Sequence, residues 1–142
     1  MTTAQVLLDR LHVRDVLLRY ARAVDDRDLD GVAACFLPDA AYEGALGRGT
    51  VTTALRSLGD AMARYDVTMH LMGAYVVTVE GDRAESRTHC VAHHVLRPAS
   101  AGRHLTVGVT YHDSMVRRPD GWRIAARRVD TRWRRELEAT RA

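Results

Sequence analysis

The chain contains no lysine, so all 21 of its basic residues are arginine. This bias is typical of GC-rich coding and indicates no particular chemistry. The two cysteines, Cys35 and Cys90, are isolated and lack a metal-ligand spacing. Isolated cysteines favour reduced thiols and predict the cytoplasm as the compartment. No apolar run approaches the ~20 residues of a membrane helix, and residues 1–9 lack the basic and apolar regions of a signal peptide. We therefore expect neither membrane association nor secretion.

Several sites that carry common chemistries are also missing. The sequence has no glycine-rich phosphate loop, no nucleophile elbow and no Cys–His pair of suitable spacing. Basic residues cluster near the C-terminus, but Glu136 and Glu138 dilute them, so nucleic-acid binding is not expected. His89 and His93 would lie ~13 Å apart on one strand, which is too far for one tetrahedral metal ion. We expect no metal and no cofactor.

The length and composition are those of one globular domain. The 142 residues are 46% apolar and 27% charged. A chain of this length buries a substantial core without splitting into two units. We predict a single domain over residues 1–142.

Hydrophobic periodicity changes along the chain from helical spacing to strand alternation. Thr2 resembles a helix cap with Gln5 three residues on. Tight turns are predicted at Glu80–Arg83 and Arg118–Gly121, and a looser one at Pro98–Arg103. The predicted helices cover residues 3–25, 29–36 (ended by Pro38 and Asp39) and a segment from a Thr50 cap through Tyr65. The predicted strands are Ala40–Glu43, Val67–Val79, Ala84–Leu96, His104–Arg117 and Trp122–Trp133, with a loop at Gly44–Gly49 and a helical or frayed charged tail.

Helices followed by four consecutive antiparallel strands indicate an α+β fold. A long meander that carries helices on one face curls around them. We therefore predict a cone-shaped barrel of a curved, mainly antiparallel sheet wrapped on N-terminal helices. The space between sheet and helices is the expected place for a small-molecule site.

Asp25 and His70 are the residues most suggestive of chemistry. Asp25 follows an apolar helical stripe (Val13, Leu17, Tyr20, Val24), and an inward carboxylate needs a partner. His70 lies in a strand whose two faces are both apolar, which predicts that both are covered. A carboxylate beside a neutral imidazole fixes its tautomer and makes it a better base. The alternative is a core histidine satisfied by a backbone carbonyl.

Other candidates follow from strand alternation. His70 shares its predicted face with Thr68, Met72, Ala74, Val76 and Thr78. On the returning strand, Cys90 and His94 share a face of small residues suited to a cavity, and the spacing leaves open which of His89, His93 and His94 faces the pocket. Tyr20 and Tyr42 are each either core aromatics or hydrogen-bond donors in a pocket, and Arg127 is either functional or a surface arginine. The substrate-binding candidates are Tyr42, Met72, Cys90, His94 and Tyr111.

Five segments together resemble the SnoaL-like family of the nuclear transport factor 2-like superfamily, which has a cone-shaped α+β fold. The resemblance runs from about Leu11 to Trp133 and is fairly specific for the fold, whereas it says little about the reaction. The segments are Arg14–Asp25, Phe36–Ala40, Thr68–His70, Val79–Ala84 and Arg117–Ile124.

Within this family the pattern is most similar to lyases with an Asp–His dyad: bile acid 7α-dehydratase, hexachlorocyclohexane dehydrochlorinase and scytalone dehydratase. The resemblance implies that Asp25 and His70 form the dyad, that Tyr20 and Arg127 assist it, and that Tyr42 lies in the pocket. Arg127 departs from the pattern, since alternation places it on the face opposite Trp122.

The predicted function is a cofactor-independent lyase or dehydratase that acts on a small hydrophobic, polyketide-, terpenoid- or steroid-like substrate by proton abstraction. An isomerase or cyclase with the same dyad, or a non-catalytic binding module, remain alternatives. We also expect a homodimer or homotrimer, as the resemblance implies, because an outer sheet face would need cover. The residues assigned to that outer face are Val91, Val107, Val109 and Tyr111.

Overall fold

The computed structural model describes residues 1–97 and 103–138. The predicted turn at Pro98–Arg103 therefore lies outside the described residues, except for Arg103. The helices are α1 (Thr3–Asp25), α2 (Leu29–Ala33) and α3 (Val51–Met62). The strands are β1 (Phe36–Gly44), β2 (Gly47–Thr50), β3 (Tyr65–Glu80), β4 (Arg83–Leu96), β5 (Arg103–Arg118) and β6 (Gly121–Glu138).

The strands form one six-stranded sheet in the order β2-β1-β6-β5-β4-β3. All neighbouring pairs are antiparallel except β1 and β6, which run parallel. Helix α1 packs on both β3 and β6, so the sheet curves around this helix. The α+β fold class is thereby confirmed, with the qualification that the sheet is open and mixed.

Helix α1 begins at a side-chain cap and ends at an anchored turn. Thr2 Oγ1 accepts a hydrogen bond from the Gln5 backbone N–H at 3.2 Å, which satisfies one of the free N–H groups of the first turn. Beyond the helix, Arg27 adopts a left-handed backbone conformation with φ 58°. Its guanidinium donates to the carbonyls of Tyr65 and Asp66 at 2.7 and 3.0 Å. The end of α1 is therefore tied to the beginning of β3.

Several predicted boundaries are wrong by a few residues. The second helix is shorter than predicted because Phe36 already pairs with Ile124 of β6, so Pro38 and Asp39 lie within β1 rather than ending a helix. The loop predicted at Gly44–Gly49 contains the beginning of β2. The charged tail continues β6 as far as Glu138, because β5 pairs with it along its whole length.

A β-bulge in β3 changes the side-chain alternation that the sequence predicted. The pairing with β4 shifts between Met72 and Tyr75. Before the bulge, Thr68 is buried, whereas after it Val77 is buried and Val76 is 58% exposed. Val76 and Thr78 therefore do not share the face of His70, because one extra residue reverses which side chains point inward.

Two further predictions about sheet faces are wrong. Val67, Met69 and Leu71 are 54%, 57% and 49% exposed, so no residue of the described ranges 1–97 and 103–138 covers the outer face of β3. Tyr111 is buried, and the alternation of β5 places Val107 and Val109 on the same inward face, whereas Val91 stays on the outer face. Whether a second copy of the chain covers the outer face stays a prediction.

Candidate active site

A cavity of about 300 Å³ lies between the sheet and the helices. Its walls are mainly apolar, and its polar groups are hydroxyls, two imidazoles and two guanidiniums. An apolar cavity with a few convergent polar groups is the usual form of a small-molecule site. The lining residues are Tyr20, Val24, Tyr42, Ala45, Leu46, Leu58, Ala61, Met62, Arg64, Tyr65, Thr68, His70, Ala92, His94, Leu105, Val107, Val109, Tyr111, Val129, Thr131 and Arg134.

Asp25 and His70 meet at the wall of this cavity. His70 Nδ1 lies 2.7 Å from Asp25 Oδ1, and the His70 backbone N–H donates to Oδ2 at 2.8 Å. Thr68 Oγ1 donates to Oδ1 at 3.0 Å. A carboxylate accepts, so the imidazole proton resides on Nδ1 and leaves Nε2 with a free lone pair. The Asp25 and His70 side chains are 22% and 9% exposed, so the pair is reachable yet poorly solvated.

Hydrogen bonds keep Asp25 ionised in these surroundings. Burial by itself raises the pKa of the carboxyl group, but the donors from His70 and Thr68 outweigh it and hold the pKa below its usual range. Asp25 is therefore a fixed negative charge beside an imidazole. Such a charge orients the ring and stabilises the imidazolium that forms when Nε2 takes a proton.

The fold brings these two residues together through local features. Asp25 is the last residue of α1, at the end of its inward stripe. His70 and Thr68 point inward because they precede the bulge of β3. The contacts of Arg27 with the first residues of β3 hold the two elements in register at this point.

His94 is the histidine of β4 that faces the cavity, whereas the exposed His89 and the half-buried His93 lie on the outer face. Its Nδ1 is 3.3 Å from the Leu105 carbonyl oxygen, which accepts the Nδ1 proton. Its ring centroid lies 5.8 Å from that of His70. Burial, together with the nearby His70 ring, lowers the pKa of His94. His94 is therefore a neutral imidazole whose Nε2 is left to accept a hydrogen bond.

Arg127 is buried beneath the cavity rather than in its lining. Its Nε and Nη2 donate to Asp113 at 2.7 and 2.9 Å, and both side chains are fully buried. The guanidinium lies 4.1 Å from the Tyr20 ring centroid and 4.2 Å from that of Tyr111. Burial opposes its charge, but Asp113 outweighs burial and raises the pKa of Arg127. This ion pair supports two tyrosines of the cavity through cation–π contacts.

Arg127 reaches the interior because of a second bulge. Ser114 pairs with Ala126 and Met115 with Ile124, so Ala125 is an extra residue in β6. Trp122, Ile124 and Arg127 are consequently all buried. The prediction that Arg127 lies on the face opposite Trp122 was wrong for this reason.

Among the described residues, four tyrosines line the cavity, and burial changes the pKa of three of them, Tyr20, Tyr42 and Tyr111. Burial raises the pKa of Tyr20 and Tyr111, against the opposing charge of Arg127. Burial raises the pKa of Tyr42 to about 12. All three hydroxyls stay protonated at neutral pH and are available as hydrogen-bond donors.

Two residues predicted to bind substrate are not part of the cavity lining among the described residues. Cys90 is 2% exposed and belongs to the core, and burial raises the pKa of its thiol to about 11. Met72 is partly buried and packs against the same core. Both residues share the inward face with His70 and His94, but they pack in the core together with Tyr111.

Two buried carboxylates, Asp113 and Asp9, were not predicted from the sequence. Asp113 holds Arg127, and Asp9 accepts hydrogen bonds from Arg117 Nη1 and Nη2, both at 2.6 Å, and from Trp122 Nε1 at 3.3 Å. A signal existed for each carboxylate. Asp9 lies one turn before Val13 on the inward stripe of α1, and Asp113 alternates with Tyr111 and Met115 on β5.

A second concavity, of about 380 Å³, lies on another part of the sheet around Tyr42, His112 and Arg128. It is the larger of the two, but it is more open and carries charged residues from β1, β2, β4 and β6. His112 Nε2 lies 3.0 Å from Asp130 Oδ2 there, with both side chains about one-third exposed. Water screens such a pair, so we place the candidate site in the enclosed cavity.

Within the part of the chain that the structure describes, no helix combines the length and the apolarity needed to cross a membrane.

Comparison with known proteins places the chain among relatives of this fold. Residues 5–128 match the family of SnoaL-like domains. The uncharacterized protein Rv2910c of Mycobacterium tuberculosis is 35% identical over 135 residues, which cover 93% of this chain and 90% of that protein.

Two solved structures show the likeness in fold. The hexachlorocyclohexane dehydrochlorinase LinA-type3 from Novosphingobium barchaimii is 15% identical with a TM-score of 0.83, covering 98% of this chain and 97% of that one. A scytalone dehydratase-like protein from Novosphingobium aromaticivorans is 17% identical with a TM-score of 0.82, covering 99% of this chain and 94% of that one. At these identities the likeness concerns the fold alone.

Proposed function

We propose, from the premise that this chain belongs to the SnoaL-like domain family, that it is a cofactor-independent lyase acting on a small hydrophobic substrate. The observation that carries the proposal is the 2.7 Å contact between His70 Nδ1 and Asp25 Oδ1 in the wall of an apolar cavity. It leaves Nε2 of the imidazole as the base nearest to a bound molecule. Dehydrochlorinase and dehydratase relatives of this fold support a lyase as the reaction class.

The proposed reaction begins with the removal of a proton from carbon. The C–H bond breaks, its proton goes to His70 Nε2, and its electron pair forms a new carbon–carbon double bond. The bond to a hydroxyl or halide on the neighbouring carbon breaks, and that group leaves with the bonding electrons. Asp25 stabilises the imidazolium throughout. A positioned base of this kind contributes about 10²–10⁴-fold in rate.

The leaving group needs a proton or a hydrogen bond as it departs. Tyr20, Tyr42 and Tyr111 keep their hydroxyl protons, since burial raises the pKa of each. We assign the assisting role to these tyrosines rather than to Arg127, whose guanidinium faces Asp113 and the tyrosine rings. Arg127 then acts through Tyr20 and Tyr111 as a positioning residue.

The same dyad also suits a double-bond isomerase or a cyclase. In both cases His70 takes the proton from carbon, and the resulting carbanion or enolate is reprotonated or attacks a second carbon instead of expelling a group. His94 favours this alternative, because its ring centroid lies 5.8 Å from that of His70 and its Nε2 can exchange a proton with a substrate oxygen.

The test is a panel of small hydrophobic β-hydroxy carbonyl compounds and halides incubated with the protein and followed by mass spectrometry. Elimination removes the mass of water or of a hydrogen halide, whereas isomerisation and cyclisation leave the mass unchanged and alter chromatographic retention. His70→Gln should abolish turnover, and His89→Gln, on the outer face of the sheet, should not. Equal turnover by both variants would refute the proposed role of His70.

A non-catalytic binding module predicts a different result. Members of the panel would then bind to the protein, as seen by a shift in thermal denaturation, with neither mass nor retention changed. Deuterium exchange at the acidic carbon of a bound compound in heavy water distinguishes the two cases, because exchange requires a working base even without elimination.

A further inference from the structure

The mouth of the cavity carries two arginines that the proposed reaction does not use. Arg64 and Arg134 are the charged residues in the lining, and among the described residues the lining contains no carboxylate. Asp25 lies behind His70, where it is committed to the imidazole and to Thr68. A bound molecule therefore meets positive charge at the mouth and no negative charge in the walls.

Arg134 points into the mouth because of a bulge. Val109 pairs with Thr131 and Gly108 with Trp133, so Arg132 is an extra residue in β6. Trp133 consequently lies on the outer face over Gly108, where a Cβ would clash with its indole. Regular alternation after Thr131 would have turned Trp133 inward, whereas the bulge turns Arg134 inward instead.

The sheet pairing places Arg134 directly across from His70. His70 pairs with Ala92, Ala92 with Val107, and Val107 with Arg134. Directly paired residues share a face, so both side chains point to the same side of the sheet. Three strand spacings separate their Cα atoms by about 14 Å along the sheet, and its curvature brings them closer through space.

The charge at the mouth is not cancelled by neighbouring carboxylates. Arg134 Nη2 donates to Glu136 at 2.6 Å, but Arg103 donates to the same carboxylate at 2.6 Å. Two guanidiniums thus share one carboxylate, so these three groups together carry a net positive charge, and Glu138 lies on the same face, across from Arg103. Within the residues that the structure describes, Arg64 has no carboxylate partner and lies beside the Tyr65 ring, with its Cζ 6.0 Å from the ring centroid.

We infer that the substrate is an apolar molecule that carries one anionic group, in the first instance a carboxylate, and that Arg134 binds this group. The inference deepens the proposed function, on which it rests for the position of the reacting carbon at His70. The apolar body then fills the cavity between the two residues, with the anion at the solvent end and the carbon acid at the buried end. Arg134 is in this way a specificity-determining residue, and Arg64 is a second contact.

The test compares two fluorescent probes that differ by one charge. Anilinonaphthalene sulfonate is an anion, and N-phenylnaphthylamine is the same ring system without the sulfonate. Fluorescence titration of the wild-type protein should give tighter binding of the anion. Arg134→Gln should weaken binding of the anion about tenfold, as expected for loss of one charge-assisted hydrogen bond, and should leave binding of the neutral probe within about twofold.

Two control variants separate the mouth of the cavity from the rest of the surface. Arg135→Gln removes the same charge from the opposite face of β6. Met69→Gln alters the exposed apolar face of β3, which is the other surface that could attract an apolar dye. Equal weakening by Arg134→Gln and Arg135→Gln, or loss of binding only with Met69→Gln, would overturn the inference.

The outcome is independent of the proposed chemistry. His70→Gln should retain binding of the anionic probe while turnover is lost, because Arg134 and the apolar part of the cavity walls are unchanged. If the protein is active but does not prefer the anionic probe, only the proposed anion site is refuted. If it binds the anion tightly but has no turnover, the anion site stands and the proposed lyase activity is refuted.

Discussion

Helix α1 carries two inward carboxylates, and their surroundings differ in one decisive respect. Asp9 near its beginning is fully buried and accepts hydrogen bonds from the Arg117 guanidinium and the Trp122 indole. Asp25 at its end is partly buried and accepts from the His70 ring, the His70 backbone and Thr68. Both carboxyl groups have a lowered pKa, Asp9 chiefly through Arg117 and Asp25 through His70 against the effect of burial.

The difference lies in what the partner can do. Arg117 keeps its proton at any working pH, so its pair with Asp9 only holds α1 against the hairpin of β5 and β6. His70 carries an imidazole, which can take up and return a proton during a reaction, and it borders a cavity, so its pair with Asp25 can take part in chemistry. A buried carboxylate therefore does not identify a functional site, whereas a titratable partner that faces a cavity does.

The largest expected effect is on turnover. His70→Gln removes the base and should lower activity on any substrate by about 10²–10⁴-fold, with little loss of stability, because Gln can still donate a hydrogen bond to Asp25. The measurement is the rate of product formation by mass spectrometry. His89→Gln is the matched control, and a fall in rate of the same size in that variant would contradict the role of His70.

The variant Asp9→Asn tests whether Asp9 has a purely structural role. It leaves the partly exposed Arg117 and the buried Trp122 with a poorer acceptor and removes a charge partner, which should lower the free energy of unfolding by about 2–4 kcal/mol. Urea denaturation measures this change, with Asp15→Asn on the exposed side of α1 as the control. Folded Asp9→Asn protein should retain activity, and a selective loss of activity would show that the two carboxylates are not separate in role.

Asp25→Asn should lower activity by about 10²-fold, because the imidazolium loses its counter-charge. The loss in free energy of unfolding should be smaller than for Asp9→Asn, about 1–2 kcal/mol, because Asp25 is partly exposed.

The pH dependence of stability gives a second test of the variant Asp25→Asn. The pKa of Asp25 is lower in the folded state than its ordinary value, so the unfolded state binds more protons between the two values. The contribution of Asp25 is complete above the ordinary aspartate pKa of about 4 and is lost as the pH falls through the folded value. Asp25→Asn should therefore show a shallower loss of stability in acid than wild type. An unchanged slope, or the same change in the exposed variant Asp26→Asn, would contradict it.

The smallest effect is expected for Thr68→Val, which keeps the side-chain shape and removes one donor to Asp25. The free energy of unfolding should fall by about 1 kcal/mol, and activity should fall only a few-fold because His70 still orients on Asp25. Thr78→Val on the exposed face of the same strand is the control. Loss of activity as large as in Asp25→Asn would mean that Thr68 has a direct role.

The residues of the dyad could be predicted from the sequence. Both lie on patterns that hold locally, the stripe of α1 and the alternation of β3 ahead of its bulge. The relation of Asp9 to Arg117 was also within reach, because Asp9 interrupts the same apolar stripe. It was missed because a charged residue in an amphipathic helix is most simply placed on the solvent side.

The β-bulges could not be predicted from the sequence. The amino-acid sequence around Ala125 or Arg132 gives no signal of a β-bulge, because a bulge depends on how the partner strand pairs. Each bulge reverses the face of every residue that follows it, which explains why the positions of Arg127 and Arg134 could not be predicted. The same holds for Val76 and Thr78 after the bulge of β3.

Four features can be predicted from the sequence alone: the α+β class, the inward stripe of α1, the two tight turns and the candidate pair Asp25 and His70. Those features depend on side-chain periodicity and turn chemistry, which act over a few neighbouring residues. Three relations are visible only in the tertiary structure. Asp25 contacts His70 at a cavity wall, Arg127 forms a buried ion pair with Asp113, and Arg134 points into the mouth of the cavity. These relations depend on strand pairing between distant segments, where one extra residue changes the direction of a side chain.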